Sequence, residues 1–165
     1  NSLNADYFGI DGSTYIIENL KQAFPDKSHQ LHACDFTKEF YFEGPFDLII
    51  DRGSLTHNCD ADIRNSIDLA FLALRKGGRL ISVDWFSSEH SGNITGEPGD
   101  DPYTRINFQS GPLNGTGVAH FSDQDNIEDI FSKWTIEKLD HQTTTPVLPK
   151  SKNFSASWNI VAQRN

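Results

Sequence analysis

Methionine does not occur in the 165 residues, and cysteine occurs only as Cys34 and Cys59. The first residue is Asn1 and the text turns strand-like within a few residues, so the sequence reads as a piece of a longer chain that lacks its front end. Two cysteines cannot make a disulfide framework, and reduced thiols in a reducing compartment are the simpler assignment. No apolar stretch approaches the roughly 20 residues that a membrane span needs, and no charged-then-apolar leader opens the chain. We therefore expect a cytoplasmic protein with no membrane partner. On that reading the glycosylation-type triplets that begin at Asn93, Asn114 and Asn153 are chance matches. A Lys/Arg-rich run is also missing: Lys plus Arg total 14 against 23 for Asp plus Glu, a net charge of -9. Such a surface repels phosphate backbones and excludes general nucleic-acid binding. There is no internal repeat and no low-complexity tract, and the length suits one domain spanning 1–165 with one core.

The most informative stretch present is Phe46-Asp47-Leu48-Ile49-Ile50-Asp51-Arg52-Gly53-Ser54-Leu55-Thr56-His57. It begins as a nearly continuous apolar run and ends abruptly in polar residues and glycine. A strand covered on both faces reads this way, and such strands belong to parallel sheets. Ligands in open α/β sheets sit beyond the carboxyl ends of the strands, which puts Asp51 to His57 where chemistry is expected.

The remaining elements arrange themselves around that strand. Tyr7 to Asp11 is an aromatic and β-branched strand running into a turn, with Ser13 or Thr14 as helix N-cap. Ile16, Ile17, Leu20, Ala23 and Phe24 then recur at helical spacing up to Pro25. Leu31 to Phe36 is a second strand that ends in an acid. After the central stretch, Ile63, Ile67, Ala70, Phe71 and Leu74 mark one helix face, with Arg75 and Lys76 in its last turn and Gly77-Gly78 as its stop. Arg79 to Trp85 makes a fourth strand. Residues 86–120 are rich in Gly, Pro, Ser, Asp and Asn, and we expect an irregular lid-like insertion. Ser122 with Asp125 resembles a capping box for a short helix. Trp134–Leu139 and Ser155–Ala162 alternate as a closing antiparallel pair. The sustained alternation predicts an α/β fold: a doubly wound, Rossmann-like, mostly parallel sheet with a C-terminal antiparallel strand pair.

This order of motifs resembles the class I S-adenosylmethionine-dependent methyltransferases over most of the chain. The resemblance implies that Asp11, with Gly12 beside it, accepts from the ribose hydroxyls of S-adenosylmethionine. It implies that Asp35 and Phe36 meet the adenine amine and ring, and that Asp51 and Arg52 border the sulfonium methyl. The chemistry suits these residue types: one carboxylate can accept from two vicinal hydroxyls, an amine needs an acceptor, and an adenine face needs an apolar wall. The family's opening strand and glycine-rich turn should precede Tyr7, and Asn1 to Asp6 cannot contain them. The first strand is thus absent from this chain. The open seam it would leave invites a homodimer.

For catalysis the expectation falls on His57, which beyond its strand can take a proton from an attacking oxygen or nitrogen at neutral pH. Trp85, Arg105 and His120 are the candidates for holding a small-molecule acceptor, with Tyr103, Phe108 and Phe121 as apolar neighbours. Plainer readings stand beside each of these. Asp11 caps a turn, Asp35 caps a helix, His57 bonds within its loop and the aromatics are core. The pairs His32-Ala33-Cys34 and His57-Asn58-Cys59 suggest zinc, but their spacing is not that of a finger or ribbon, and no metal is expected. Two other classes compete: a catalytically inactive methyltransferase-like interaction module, and a nicotinamide-dinucleotide domain. The latter would need a GxGxxG turn upstream.

Overall fold

The computed structural model describes residues 5–165. Strand β1 (Gly9–Asp11) leads through helix α1 (Thr14–Ala23) and a 3-10 turn (Pro25–Gln30) to β2 (Leu31–Ala33), which pairs with β1 in parallel. Strand β3 (Phe46–Arg52) leads through a 3-10 turn (Leu55–His57) and helix α2 (Asp60–Ala73) to β4 (Leu74–Phe86), again in parallel. These are two strand-helix-strand units. An insertion carries β5 (Glu97–Pro98), β6 (Thr104–Ile106) and β7 (Val118–His120), after which come α3 (Gln124–Ile130), β8 (Trp134–Thr144) and β9 (Ser155–Arg164). Both β8 and β4 pair antiparallel with β9, so the main sheet runs β3-β4-β9-β8. The C-terminal antiparallel pair expected from the alternation is therefore present.

Local chemistry explains the boundaries. Ser13 caps α1, its hydroxyl accepting from the Ile16 N–H at 3.3 Å, and the helix ends just before Pro25, whose ring cannot continue it. In α2 the first-turn acids Asp60 and Asp62 complement the helix dipole, while Ile63, Ile67 and Ala70 bury one face. Helix α2 stops at Ala73, and Arg75 to Gly78, expected as the last turn and stop of this helix, belong to β4 instead. Gly44 is required where it stands, because a Cβ there would collide with the Ala73 carbonyl oxygen.

The main core lies on one face of the sheet. Ile63, Ile67 and Ala70 of α2 meet Leu80 and Trp85 of β4, Ile160 and Ala162 of β9, and Ile127, Ile130 and Phe131 around α3. The opposite face is barer: Leu48 and Ile50 of β3 are 46% and 64% exposed. No described strand pairs with the second edge of β3, so β1-β2 stands as a separate two-stranded sheet.

Two expectations need correction. Residues 86–120 are not an irregular loop: β5, β6 and β7 form an antiparallel sheet, and Phe108, Leu113, Ala119 and Phe121 build a second small core against Phe86. The N-cap of α3 is Asp123, which accepts from the Asn126 N–H at 2.8 Å; Ser122 is spent elsewhere. Among the described residues no helix is long and apolar enough to cross a membrane.

This packing makes a direct prediction. Ile160→Ala, which empties a fully buried position on β9, should lower unfolding free energy by about 2–5 kcal/mol. Leu72→Ala, at a position 71% exposed on α2, should change it by no more than about 0.5 kcal/mol. Urea denaturation of both variants checks the contrast.

Candidate functional site

Two parallel units place their strand ends around one cleft of about 90 Å³. Its walls include Ile10 of β1, Phe36 and Phe40 beyond β2, and Ile50 and Asp51 of β3. Residues next to Asp11 and Asp35 thus meet residues at the end of β3, although Asp11 lies 40 positions and Asp35 16 positions before Asp51 in sequence. The lining is apolar except for Asp51, Ser54 and Ser66.

Asp11 ends β1. Its Oδ1 accepts from the Ser13 N–H at 2.7 Å, while its backbone carbonyl accepts from the Cys34 N–H at 3.1 Å. Its other carboxylate oxygen makes no hydrogen bond among the described residues. A Cβ added at Gly12 would meet nothing within 4 Å, so the surface beside Asp11 is open. Asp35 differs. Lys38 donates to Oδ2 at 2.6 Å, and the Thr37 hydroxyl and N–H donate to Oδ1 at 2.6 and 3.1 Å. The Lys38 ammonium first, then the Thr37 hydroxyl, hold this carboxyl down at about 2. Both of its oxygens are engaged locally, in the turn-capping role that competes with adenine recognition.

Asp51 is buried, 8% exposed, and fully satisfied. Oδ1 accepts from the hydroxyl and N–H of Ser54 and the N–H of Leu55, and Oδ2 accepts from the Ser82 hydroxyl at 2.7 Å. It ties β3 to β4 and fixes the turn after it. Arg52 points to the other face, 80% exposed at its side chain, and pairs with Asp84 at 3.2 Å. Asp84 sits at φ 62, where the β4–β9 register slips between Ser82 and Trp85. A non-glycine residue there is strained by about 1–2 kcal/mol, and bulges of this kind re-aim side chains near sites.

His57 closes the 3-10 turn that Asp51 anchors. Its ring stands edge-on to Phe86 at the carboxyl end of β4, centroids 5.4 Å apart, and makes no hydrogen bond among the described residues. Phe86 in turn faces His90 at 5.3 Å and stacks on Phe121 at 5.6 Å. The three acceptor candidates are placed differently. Trp85 and His120 are fully buried, and both bond to the Ser122 hydroxyl, at 2.9 and 3.0 Å. Neither presents a surface to a ligand. Arg105 donates to the carbonyls of Asn93, Pro102 and Thr104, so its guanidinium pins the insertion together.

Sequence reasoning missed Phe40 and Ile50 as cleft walls, and His90 and Asp84 altogether. An aromatic such as Phe86 directly after a strand is a readable signal. A lone histidine in a polar stretch, or a backbone held at positive φ, gives none. Among the described residues no group of three or more His, Cys, Asp and Glu side chains is placed to hold a metal. Cys34 donates weakly to the Glu39 carbonyl and Cys59 to Asp62, and burial pushes both thiols up.

No protein-family model matches the sequence, and no curated protein matches it. Solved structures do match the fold. An S-adenosylmethionine-dependent methyltransferase from Methanosarcina mazei aligns over 95% of this chain and 81% of its own, with TM-score 0.69 and 15% identity. Another from Clostridium acetobutylicum aligns over 96% and 75%, with TM-score 0.66 and 14% identity. The N-methyltransferase NodS from Bradyrhizobium japonicum, in complex with S-adenosyl-L-homocysteine, aligns over 94% and 64%, with TM-score 0.61 and 15% identity. The fold is that of the class I S-adenosylmethionine-dependent methyltransferases.

The Asp51 network predicts an asymmetry between two substitutions. Asp51→Leu leaves the Ser54 and Leu55 N–H groups and the Ser82 hydroxyl without acceptors in the interior, and should cost at least about 3 kcal/mol. Asp51→Asn keeps one carbonyl oxygen and lets Ser82 turn to accept, and should cost about 1 kcal/mol. Equal losses in chemical denaturation would show that the carboxylate oxygens do not organise the turn.

Proposed function

We propose that the chain transfers a methyl group from S-adenosylmethionine to an oxygen or nitrogen of a small molecule. The observation that carries this is Asp11: a carboxylate with one free oxygen at the end of β1, beside an open Gly12 and an apolar cleft walled by Ile10, Phe36 and Ile50. That donor set fits the adenosine end of the cofactor. Asp11 would accept from the ribose hydroxyls, and Phe36 with Ile10 would meet the ring. Asp35 and Asp51, with no free oxygen, would act by holding their turns in place, and Arg52 by its pair with Asp84 at the rim. When bound, the cofactor supplies an electrophilic methyl on a sulfonium. His57, in the turn just beyond β3, would take the proton from the attacking hydroxyl or amine as that oxygen or nitrogen bonds to the methyl carbon and the carbon–sulfur bond breaks, its electron pair leaving with the sulfur of S-adenosylhomocysteine. Phe86 offers the acceptor an apolar surface, and residues 86–120 form the cap over it, with Trp85, Arg105 and His120 holding that cap rather than touching the acceptor.

A further strand along the second edge of β3 would join the two sheets into one doubly wound sheet. The exposure of Leu48 and Ile50 and the separation of β1-β2 from β3-β4-β9-β8 support that reading. The same features favour a second reading, an inactive interaction module that takes a partner strand or a second copy at that edge. A cleft of about 90 Å³ lies below the roughly 300–1,000 Å³ of small-molecule pockets, which also favours it.

Calorimetric titration with S-adenosylhomocysteine separates the two. The methyltransferase reading expects binding that weakens at least about tenfold in Asp11→Ala. In His57→Gln it expects unchanged affinity and about 100-fold slower methylation across a panel of phenols and amines. No binding at millimolar ligand removes the enzyme and leaves the module.

A further inference from the structure

The insertion at residues 86–120 is tied to the rest of the molecule by hydrogen bonds from the Ser87 N–H to the Ala156 carbonyl, from Ser91 to the Phe154 carbonyl and from the Asp60 N–H to Asp101, and it carries two buried histidines, one on each flank. His120 ends β7 and is fully buried; His90 opens the 3-10 turn Ser91–Ile94 and is 7% exposed. Neither touches the proposed cofactor cleft, and their role in docking is independent of the methyl-transfer reading.

Proton bookkeeping around His120 leaves little freedom. The Ser122 hydroxyl oxygen accepts from the Trp85 indole at 2.9 Å, and its one proton goes to Asn126 Oδ1 at 2.7 Å. His120 Nε2, 3.0 Å from both Ser122 Oγ and Asn126 Oδ1, must therefore carry a proton and donate. Its Nδ1 is buried and has no partner among the described residues. A second proton on Nδ1 would create a buried cation with an unmet N–H, which the interior does not tolerate. At His90 the logic is simpler. Nδ1 accepts from the Gly92 N–H at 2.8 Å, and a proton on Nδ1 turns that bond into a clash of two donors.

The charges that face these rings do not rescue the cations. Around His120 the carboxylates of Asp60 and Asp101 favour a charge and the Arg64 guanidinium opposes it, but burial outweighs them and pushes His120 down. Asp60 is already paired with Arg64 at 2.6 Å, and Asp101 accepts from the Tyr103 N–H, the Thr104 N–H and the Thr104 hydroxyl. The Tyr103 and Trp85 rings close the remaining sides at 5.7 and 6.3 Å. His90 packs against both Phe86 and Phe121, and burial pushes it down as well.

We propose that residues 86–120 form an acid-released cap, which protonation of His90 and His120 frees from the sheet and from the start of α3. The latch joins four elements. His120 pairs across to Thr104 of β6, bonds Asn126 of α3, and reaches Trp85 of β4 through Ser122, while Asn126 donates to Asp60 of α2 at 3.4 Å. Protonation therefore acts on the whole cap rather than on one loop. Both histidines are neutral while docked and regain an ordinary value of 6.5 when released, so the released form binds more protons. Docking is complete above that value and weakens as pH falls below it, about tenfold in the opening constant per pH unit for each histidine, until the depressed docked values are reached.

Hydrogen exchange of the full chain at about pH 7.5 and about pH 5.5, corrected for intrinsic exchange rates, reads this directly. Amides of residues 86–120 should open at least about tenfold more at the lower pH, while those of α2 and β9 hold their protection. His90→Asn keeps an acceptor at the Nδ1 position, and His120→Gln keeps a donor near the Nε2 position. The double variant should stay closed at both values. Equal protection of the wild-type cap at the two values overturns the proposal, as does a double variant that opens as much as wild type. Should the double variant not fold, proton titration of the wild-type imidazole signals decides: His90 and His120 both ionising near 6.5 with the cap still docked overturns it equally.

Discussion

A carboxyl group taken out of water must find its hydrogen-bond donors inside the protein, and Asp51 has collected four from three residues. Two come from Ser54, one from Leu55 and one from Ser82 on the neighbouring strand. This one requirement sets the end of β3, locks its register against β4 and shapes the turn that carries His57. Leu55 and Thr56, the first two residues of that turn, are buried, so the turn is packed as well as hydrogen-bonded. The turn that carries His57 is thus positioned by a residue whose own oxygens are all engaged within the protein.

The insertion solves a different physical problem. Three short strands and four buried apolar side chains could not hold a structure alone, and they lean on Phe86 and on a polar network under Trp85. Every member of that network is satisfied except the Nδ1 of His120. A fully connected buried polar cluster rigidifies its surroundings, and a single unsatisfied atom in it is where protonation has leverage.

Solved structures share this fold at 12–19% identity. At that distance the likeness is one of fold. The strand order belongs to the sheet, whereas the surface around His57 and Phe86 belongs to this chain.

Hydrophobic periodicity and turn residues alone determined the two strand-helix-strand units, a helix cap at Ser13 or Thr14, the closing antiparallel pair, and the strand ends and following turn where Asp11, Asp51 and His57 lie. These are local facts, because apolar spacing of two or near four residues decides which face of an element is buried. The sheet of the insertion was not legible, since its strands are two or three residues long and are held by cross-strand partners and by Phe108, Leu113 and Phe121 rather than by propensity. Likewise the fates of Trp85, His120 and Asp35 were not. An aromatic, a histidine or an acid at a strand end reads the same whether it faces a ligand or a neighbour. Only the folded chain supplies the Ser122 hydroxyl that buries Trp85 and His120 together, and the Lys38 ammonium that occupies Asp35. Residue type sets what each side chain can donate or accept; tertiary packing decides which partner reaches it first.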